Sequence, residues 1–134
     1  DRYPGLKVIT HHAGGMIPFF EGRVGPGWDQ MGARTTDSDL SLVRKSLKRP
    51  HLEYFREFAA DTASFGSCKA IEHAIEFFGV ENVVFASDAP FDPEGGPMYI
   101  RDTMNILDSM DISDNVRQQI YQDNICRLTG LKIL

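Results

Sequence analysis

The chain is predicted to fold as an α/β domain built on a parallel sheet, and three observations predict it. Short β-branched runs alternate with amphipathic helical segments along the whole length, which is the pattern of strands joined through crossover helices. Two of the runs, Leu6-Lys7-Val8-Ile9-Thr10 and Val83-Val84-Phe85-Ala86-Ser87, stop abruptly at Gly- or Pro-rich bends, as buried strands do. Each also stops at residues suited to proton transfer or metal binding, His11-His12 in the first case and Asp88 in the second. Parallel architectures place reactive groups at the carboxyl ends of their strands, where loops lift side chains into a crevice.

Taken in order, a first strand is expected over residues 6–12. Gly14-Gly15 follow, then Met16-Ile17-Pro18-Phe19-Phe20. Proline is tolerated in the first turn of a helix, so a helix should begin near Met16. Gly25-Pro26-Gly27 break it, and 28–36 read as irregular. Asp37-Ser38 are placed to cap a helix carrying Leu40, Val43 and Leu47 on one face. Pro50 stops that helix, and a second short one should run over 51–56. Phe58-Ala59-Ala60-Asp61-Thr62 is a weaker strand. Ser67 or Ser64 should start a helix with Ala70, Ile71, Ala74, Ile75 and Phe78 inward, closed by Gly79 at the C′ position. The strand at Val83 comes after a very short loop. Pro93-Glu94-Gly95-Gly96-Pro97 then open a helix with Ile100, Met104 and Leu107 inward. A last helix should run from a Ser113 cap through Val116, Ile120 and Tyr121. Three strands alone would leave two open edges and much wet strand surface. The chain is therefore expected to be one part of a larger sheet or barrel.

The bulk numbers narrow the function class. With 134 residues the chain has room for one domain, 1–134, with an ordinary core. It is 42% hydrophobic and 25% charged, with a net charge of −5, and its basic residues are scattered. That charge argues against nucleic acid as a partner, because no basic stripe could neutralise a phosphate backbone. No apolar stretch approaches the ~20 residues of a membrane span, and Asp1-Arg2-Tyr3-Pro4-Gly5 has no signal-peptide character. A cytoplasmic protein without membrane contact is expected. Cys68 and Cys126 form no Cys-x-x-Cys pair, so reduced thiols are expected. No Gly-x-Ser-x-Gly elbow, phosphate loop or Cys–His pairing appears, which disfavours serine and cysteine hydrolases.

At His12 and Asp88 a resemblance becomes specific. Pro4-Gly5-Leu6-Lys7-Val8, followed by His12-Ala13-Gly14-Gly15 and Pro18-Phe19, resembles the sixth strand and loop of the metal-dependent amidohydrolases. The similarity is greatest to the branch holding aminocarboxymuconate-semialdehyde decarboxylase and the hydroxybenzoate decarboxylases. Residues 58–62 resemble strand seven, Ser87-Asp88-Ala89-Pro90-Phe91 the strand-eight motif, and Asn124-Ile125-Cys126-Arg127-Leu128-Thr129-Gly130-Leu131 the closing segment. The resemblance covers nearly the whole chain, with motifs in order. It implies the carboxyl-terminal part, about strands six to eight with their helices, of a TIM (β/α)8 barrel, a fold of about 250 residues.

The resemblance also implies roles. Asp88 would be a metal ligand and a proton-transfer group, both of which suit a hard carboxylate at a strand end; the competing reading is an Asx-type turn before Pro90. His12 would be the acid/base beside the metal, against a hydrogen-bonded core histidine. Arg23 would hold a substrate carboxylate, against a surface salt bridge with Glu21 or another acid. His11 should alternate to the opposite face and pack against the helices with Ile9. Asp61 should either orient neighbours or serve structure. His73 and His51 should be solvent-exposed. The implied cofactor is a divalent metal, zinc first and manganese as the alternative, whose other ligands are absent from this chain. The implied activity is decarboxylation of an aromatic or conjugated carboxylate by a homo-oligomer, with the chain incompetent by itself. Metal-dependent hydrolysis of a lactone or amide, and a non-catalytic half-barrel, are the alternatives.

Overall fold

A computed structural model describes residues 2–30 and 41–132. Its sheet has three parallel strands in sequence order, β1 (Ile9–Thr10), β2 (Ala59–Asp61) and β3 (Val83–Val84). Ile9 and Thr10 lie opposite Ala59 and Ala60, while Ala60 and Asp61 lie opposite Val83 and Val84. The α/β class and parallel sheet are as expected, but each strand is shorter than its apolar run. After β1 the chain leaves strand geometry at once, because His12 and Ala13 take φ of 55° and 57°. Beyond β3 a side chain replaces the backbone ladder. Thr62 Oγ1 donates to the Ala86 carbonyl at 2.8 Å and accepts from the Ala86 N–H at 3.0 Å.

The helices are α1 (Met16–Phe19), α2 (Glu21–Val24), α3 (Ser41–Ser46), α4 (His51–Arg56), α5 (Cys68–Phe78), α6 (Pro97–Ser109), α7 (Asp114–Gln118) and α8 (Asn124–Thr129). A π turn, Gln119–Asp123, joins the last two, and a 3-10 turn spans Pro26–Gln30, part of the stretch expected to be irregular. The Asp37-Ser38 cap lies outside the described residues. Helix α5 starts where Ser67 accepts the Ala70 N–H, and it buries Ile71, Ala74, Phe77 and Phe78. These pack with Ala60, Val83, Leu107 and Ile120 into one core. Ser113 caps α7 in the same way, by accepting from Val116 N–H.

Two expectations about helix faces need correction. Ile100 and Met104 were expected inward but are exposed, while Thr103 and Leu107 are buried. The i, i+4, i+7 reading rotated the inward face of α6 by about one residue, since Thr103, β-branched and polar, takes the buried position. His51 was expected exposed. It is half-buried instead, stacked on Trp28 at 5.9 Å between centroids and bonded through Nε2 to the Gly25 carbonyl. His73 is exposed, as expected, and both cysteines are free thiols.

Candidate active site at the strand ends

The three strands end side by side, and the loops that follow them carry the candidate residues. Parallel pairing sets neighbouring strands ~4.8 Å apart, so the exits of β1 and β3 are roughly 10 Å apart, with β2 between them. His11 and His12 follow β1 directly, Asp61 closes β2, and Asp88 stands four residues beyond β3.

The turn after β1 depends on a close approach. Gly14 has φ 84°, and a Cβ there would lie 2.4 Å from the Phe78 ring. Only glycine lets the loop settle onto α5 in that conformation. This turn overturns the expectation for His11. Strand alternation ends at Thr10, so both histidines sit in the turn, and both are exposed. Instead of packing on helices, His11 donates from Nδ1 to Asp61 Oδ2 at 3.0 Å. Its side chain is 80% exposed, against 3% for Asp61.

Asp61 is the buried anchor of the site. Its Oδ1 accepts the N–H groups of Ala13 at 3.2 Å and Ala63 at 3.1 Å, while Oδ2 takes His11. A buried carboxylate needs such partners to offset its desolvation. His12 makes a parallel link, Nδ1 to the Ala63 carbonyl at 2.8 Å. A carbonyl only accepts, so Nδ1 of His12 carries the hydrogen and Nε2 is left for other work. The core-histidine alternative for His12 does not describe this geometry, because the ring is hydrogen-bonded yet exposed. Phe65, exposed and at φ 52°, lies 6.0 Å from the His12 ring and 4.4 Å from Tyr99, between centroids. Residue types and spacing gave no signal for that ring; the strained loop shows it.

Asp88 is half-buried at φ 65°. The side chain bonded into the turn before Pro90 is that of Ser87, whose Oγ accepts the Ala89 N–H at 3.3 Å, while the Asp88 backbone carbonyl accepts the Phe91 N–H at 3.3 Å. Among the described residues no side chain or N–H engages the Asp88 carboxylate, which leaves both oxygens open to a cation. Among the described residues, too, no three His, Cys, Asp or Glu side chains gather as a metal site. The donor chemistry thus fits one ligand of a divalent ion and falls short of a complete set. Arg23 is exposed on α2, and Glu21, its expected partner, pairs with Arg56 at 2.7 Å. Among the described residues no bond ties Arg23 to an acid, to His12 or to Asp88.

A cleft of about 350 Å³ runs between the β1 loop and α5, lined by His12, Gly15, Phe19, Lys69 and His73. Arg23 and Asp88 lie outside it. Cys68, next to the lining residue Lys69, has its thiol pushed up by burial and by its bond to Glu72.

Comparison with known proteins gives a consistent result. A profile described as amidohydrolase matches residues 1–131. A 6-methylsalicylic acid decarboxylase from Penicillium expansum is 30% identical over 118 residues, which is 88% of this chain and 33% of that protein. The 5-carboxyvanillate decarboxylase structure from Sphingomonas paucimobilis superposes with a TM-score of 0.74 at 28% identity, covering 98% of this chain and 36% of that one. A dihydroxybenzoic acid decarboxylase from a Polaromonas species, with bound manganese and 2-nitroresorcinol, gives 0.72 at 26% identity, covering 100% of this chain and 36% of that one. The chain thus spans about a third of the length of the relatives it matches.

Proposed function

The chain belongs to the amidohydrolase family, and on that premise we propose that it carries the carboxyl-terminal third of a barrel that removes CO2 non-oxidatively from an aromatic or conjugated carboxylate. The observation that supports this best is the pair of open groups at parallel strand exits, His12 Nε2 and the Asp88 carboxylate. They occur in a chain 30% identical to a decarboxylase over 118 residues.

Asp88 is assigned as one oxygen ligand of a divalent ion. Zinc suits mixed carboxylate and imidazole ligands, and manganese is the alternative. Bound, the ion would gather substrate oxygens and draw charge from the ring. The chain's own residues then do three things. Asp88 and His12 manage proton transfer to the ring carbon that bears the carboxylate, His12 through Nε2 with its ring held by the Ala63 carbonyl. Arg23 holds an anionic oxygen of the substrate through its planar guanidinium. Phe65 offers an apolar face beside His12 for the substrate ring. A cytoplasmic homo-oligomer is the proposed setting.

The test is CO2 release by the complete gene product from a panel of hydroxybenzoates, with lactones as the hydrolase control. Asp88→Asn should lower kcat about 10³-fold or more, matching the several kcal/mol a metal's Lewis acidity contributes. Near-normal turnover by that variant would remove Asp88 from the mechanism. Lactone hydrolysis without CO2 release would replace the lyase reading. Arg23→Gln should raise KM about tenfold with kcat largely kept; an unchanged KM would reject Arg23 as the carboxylate holder.

A further inference from the structure

His12 stands on backbone that a residue with a side chain rarely adopts. Four residues in a row, His12, Ala13, Gly14 and Gly15, have positive φ, at 55°, 57°, 84° and 58°. Glycine takes that region freely, whereas a residue with a Cβ reaches it at a cost that surrounding contacts have to offset. One bond lies within the turn, where the Gly15 N–H donates to the His12 carbonyl at 2.9 Å. A second reaches across the fold. Ala13, buried beside His12, donates its N–H to Asp61 Oδ1 at 3.2 Å, over 48 positions.

The same oxygen fixes the other support of His12. Asp61 Oδ1 also accepts the Ala63 N–H at 3.1 Å, and the Ala63 carbonyl accepts His12 Nδ1 at 2.8 Å. One buried oxygen thus holds the backbone next to the imidazole and also the residue that receives its ring. Ala13 and Ala63 are 5% and 1% exposed, so water is a poor substitute acceptor for either N–H. The other oxygen, Oδ2, takes His11, a ring that the proposed reaction does not employ. The two oxygens serve different partners, and substitution can separate them.

We propose that Asp61, through Oδ1, is the positioning residue for His12. It fixes the left-handed turn that carries the imidazole and the Ala63 carbonyl that orients it. The inference rests on the decarboxylase reading, in which His12 and Asp88 share proton transfer. Asp61 touches no substrate and acts through His12. The link from Oδ2 to His11 carries none of this effect.

The experiment measures CO2 release per folded molecule in three variants of the complete gene product. Asp61→Asn keeps an oxygen for the two N–H groups and changes only what is offered to His11. Asp61→Leu keeps the branched shape and offers no acceptor. His11→Gln removes the ring from Oδ2. The Asn and Gln forms should stay within about fivefold of the parent kcat. The Leu form should lose about 10- to 100-fold in kcat with KM nearly unchanged, because a displaced acid/base group costs rate without loosening the substrate. Should the Leu form not fold, Asp61→Ser replaces it, since its shorter hydroxyl does not span both N–H groups. Normal kcat in the acceptor-free form, with a lower melting temperature, would overturn the proposal in favour of a purely structural role. So would a raised KM at normal kcat, or a larger kcat loss in the Asn or Gln form. A second arm needs no substrate. Nitrogen NMR of the neutral rings should show Nδ1–H at His12 in the parent and the Asn form, and a mixture of tautomers in the acceptor-free form. An unchanged His12 signal in that last form would refute the positioning role. If no hydroxybenzoate releases CO2 from the parent protein, the decarboxylase reading fails, while the NMR result still decides whether Asp61 orients His12.

Discussion

Gly14, Asp61 and Thr103 show how single positions carry the consequences of their surroundings. Gly14 combines a left-handed backbone with a ring where its Cβ would stand. Gly14→Ala is therefore expected to destabilise the protein by about 2–4 kcal/mol, adding backbone strain to overpacking. Urea unfolding measures this, and a loss under ~0.5 kcal/mol would mean the turn simply opens. Thr103 is fully buried, and its hydroxyl finds no partner among the described residues. Thr103→Val should be neutral or stabilising by about 1 kcal/mol, because it removes an unpaired polar group at nearly constant shape. A clear drop in melting temperature would show that the hydroxyl is satisfied after all. His12 and Asp88 stood out from residue type and position at the ends of apolar runs. Asp61 could be weighed from sequence but not ranked, because its three bonds come from residues 2 to 50 positions away.

Helix ends and corners were the most readable elements, since capping is a local rule. Ser67 and Ser113 cap as their positions suggested, and α4 begins directly after Pro50. Other ends are held by distant groups and were not foreseeable. Gly96 has no side chain to cap α6, so the Asp92 carboxylate accepts the Tyr99 N–H at 3.2 Å and the Glu94 N–H at 2.8 Å. At the far end of α6, Arg117 donates to the carbonyls of Leu107 at 3.0 Å and Met110 at 3.2 Å. Titration of this region should limit the stable pH range on both sides. Burial alone would raise Asp92, but the backbone N–H groups of Gly96, Tyr99, Glu94 and Met98 outweigh it and hold the carboxyl below its ordinary range. A lowered value means its contribution is whole above pH ~4 and is lost as acid passes below that. Burial and the bond to Asp108 push the Tyr121 phenol up to about 12. A raised value means that contribution is whole below pH ~10 and fades as pH climbs towards 12. Thermal melts across pH should decline at both ends. In Tyr121→Phe the alkaline decline between 10 and 12 should shrink, and an unchanged profile would reject the assignment.

For the molecule as a whole, the sheet is the governing fact. Among the described residues β1 and β3 each pair on one side only. Leu6, Ile9, Met16, Phe19 and Phe91 stand exposed. Open parallel edges beside apolar surface favour self-association. The 134-residue polypeptide purified by itself should therefore run as oligomers at micromolar concentration in light scattering. A monodisperse, stable monomer would count against this. Lengths of strands are where sequence pattern and structure part company. Val83-Val84-Phe85-Ala86-Ser87 reads as one strand, yet the ladder passes to the Thr62 hydroxyl after Val84, a contact 24 residues distant. Likewise the apolar positions of α6 cannot say which way the helix turns until Thr103 is seen buried.

Local chemistry decided the α/β class, the helix caps and the breaks at proline and glycine, and it singled out the two strand ends as the candidate site. Those features depend on backbone preferences and hydrophobic periods a few residues long. Tertiary structure alone decided that His11 turns to Asp61, that Asp88 keeps its carboxylate open while the Ser87 hydroxyl bonds into the turn, and that Glu21 goes to Arg56 and leaves Arg23 free of it. Each of those outcomes is a choice among competing partners of similar chemistry. The choice depends on distances across the fold, and those are set only when the strands pair and α5 settles on the sheet.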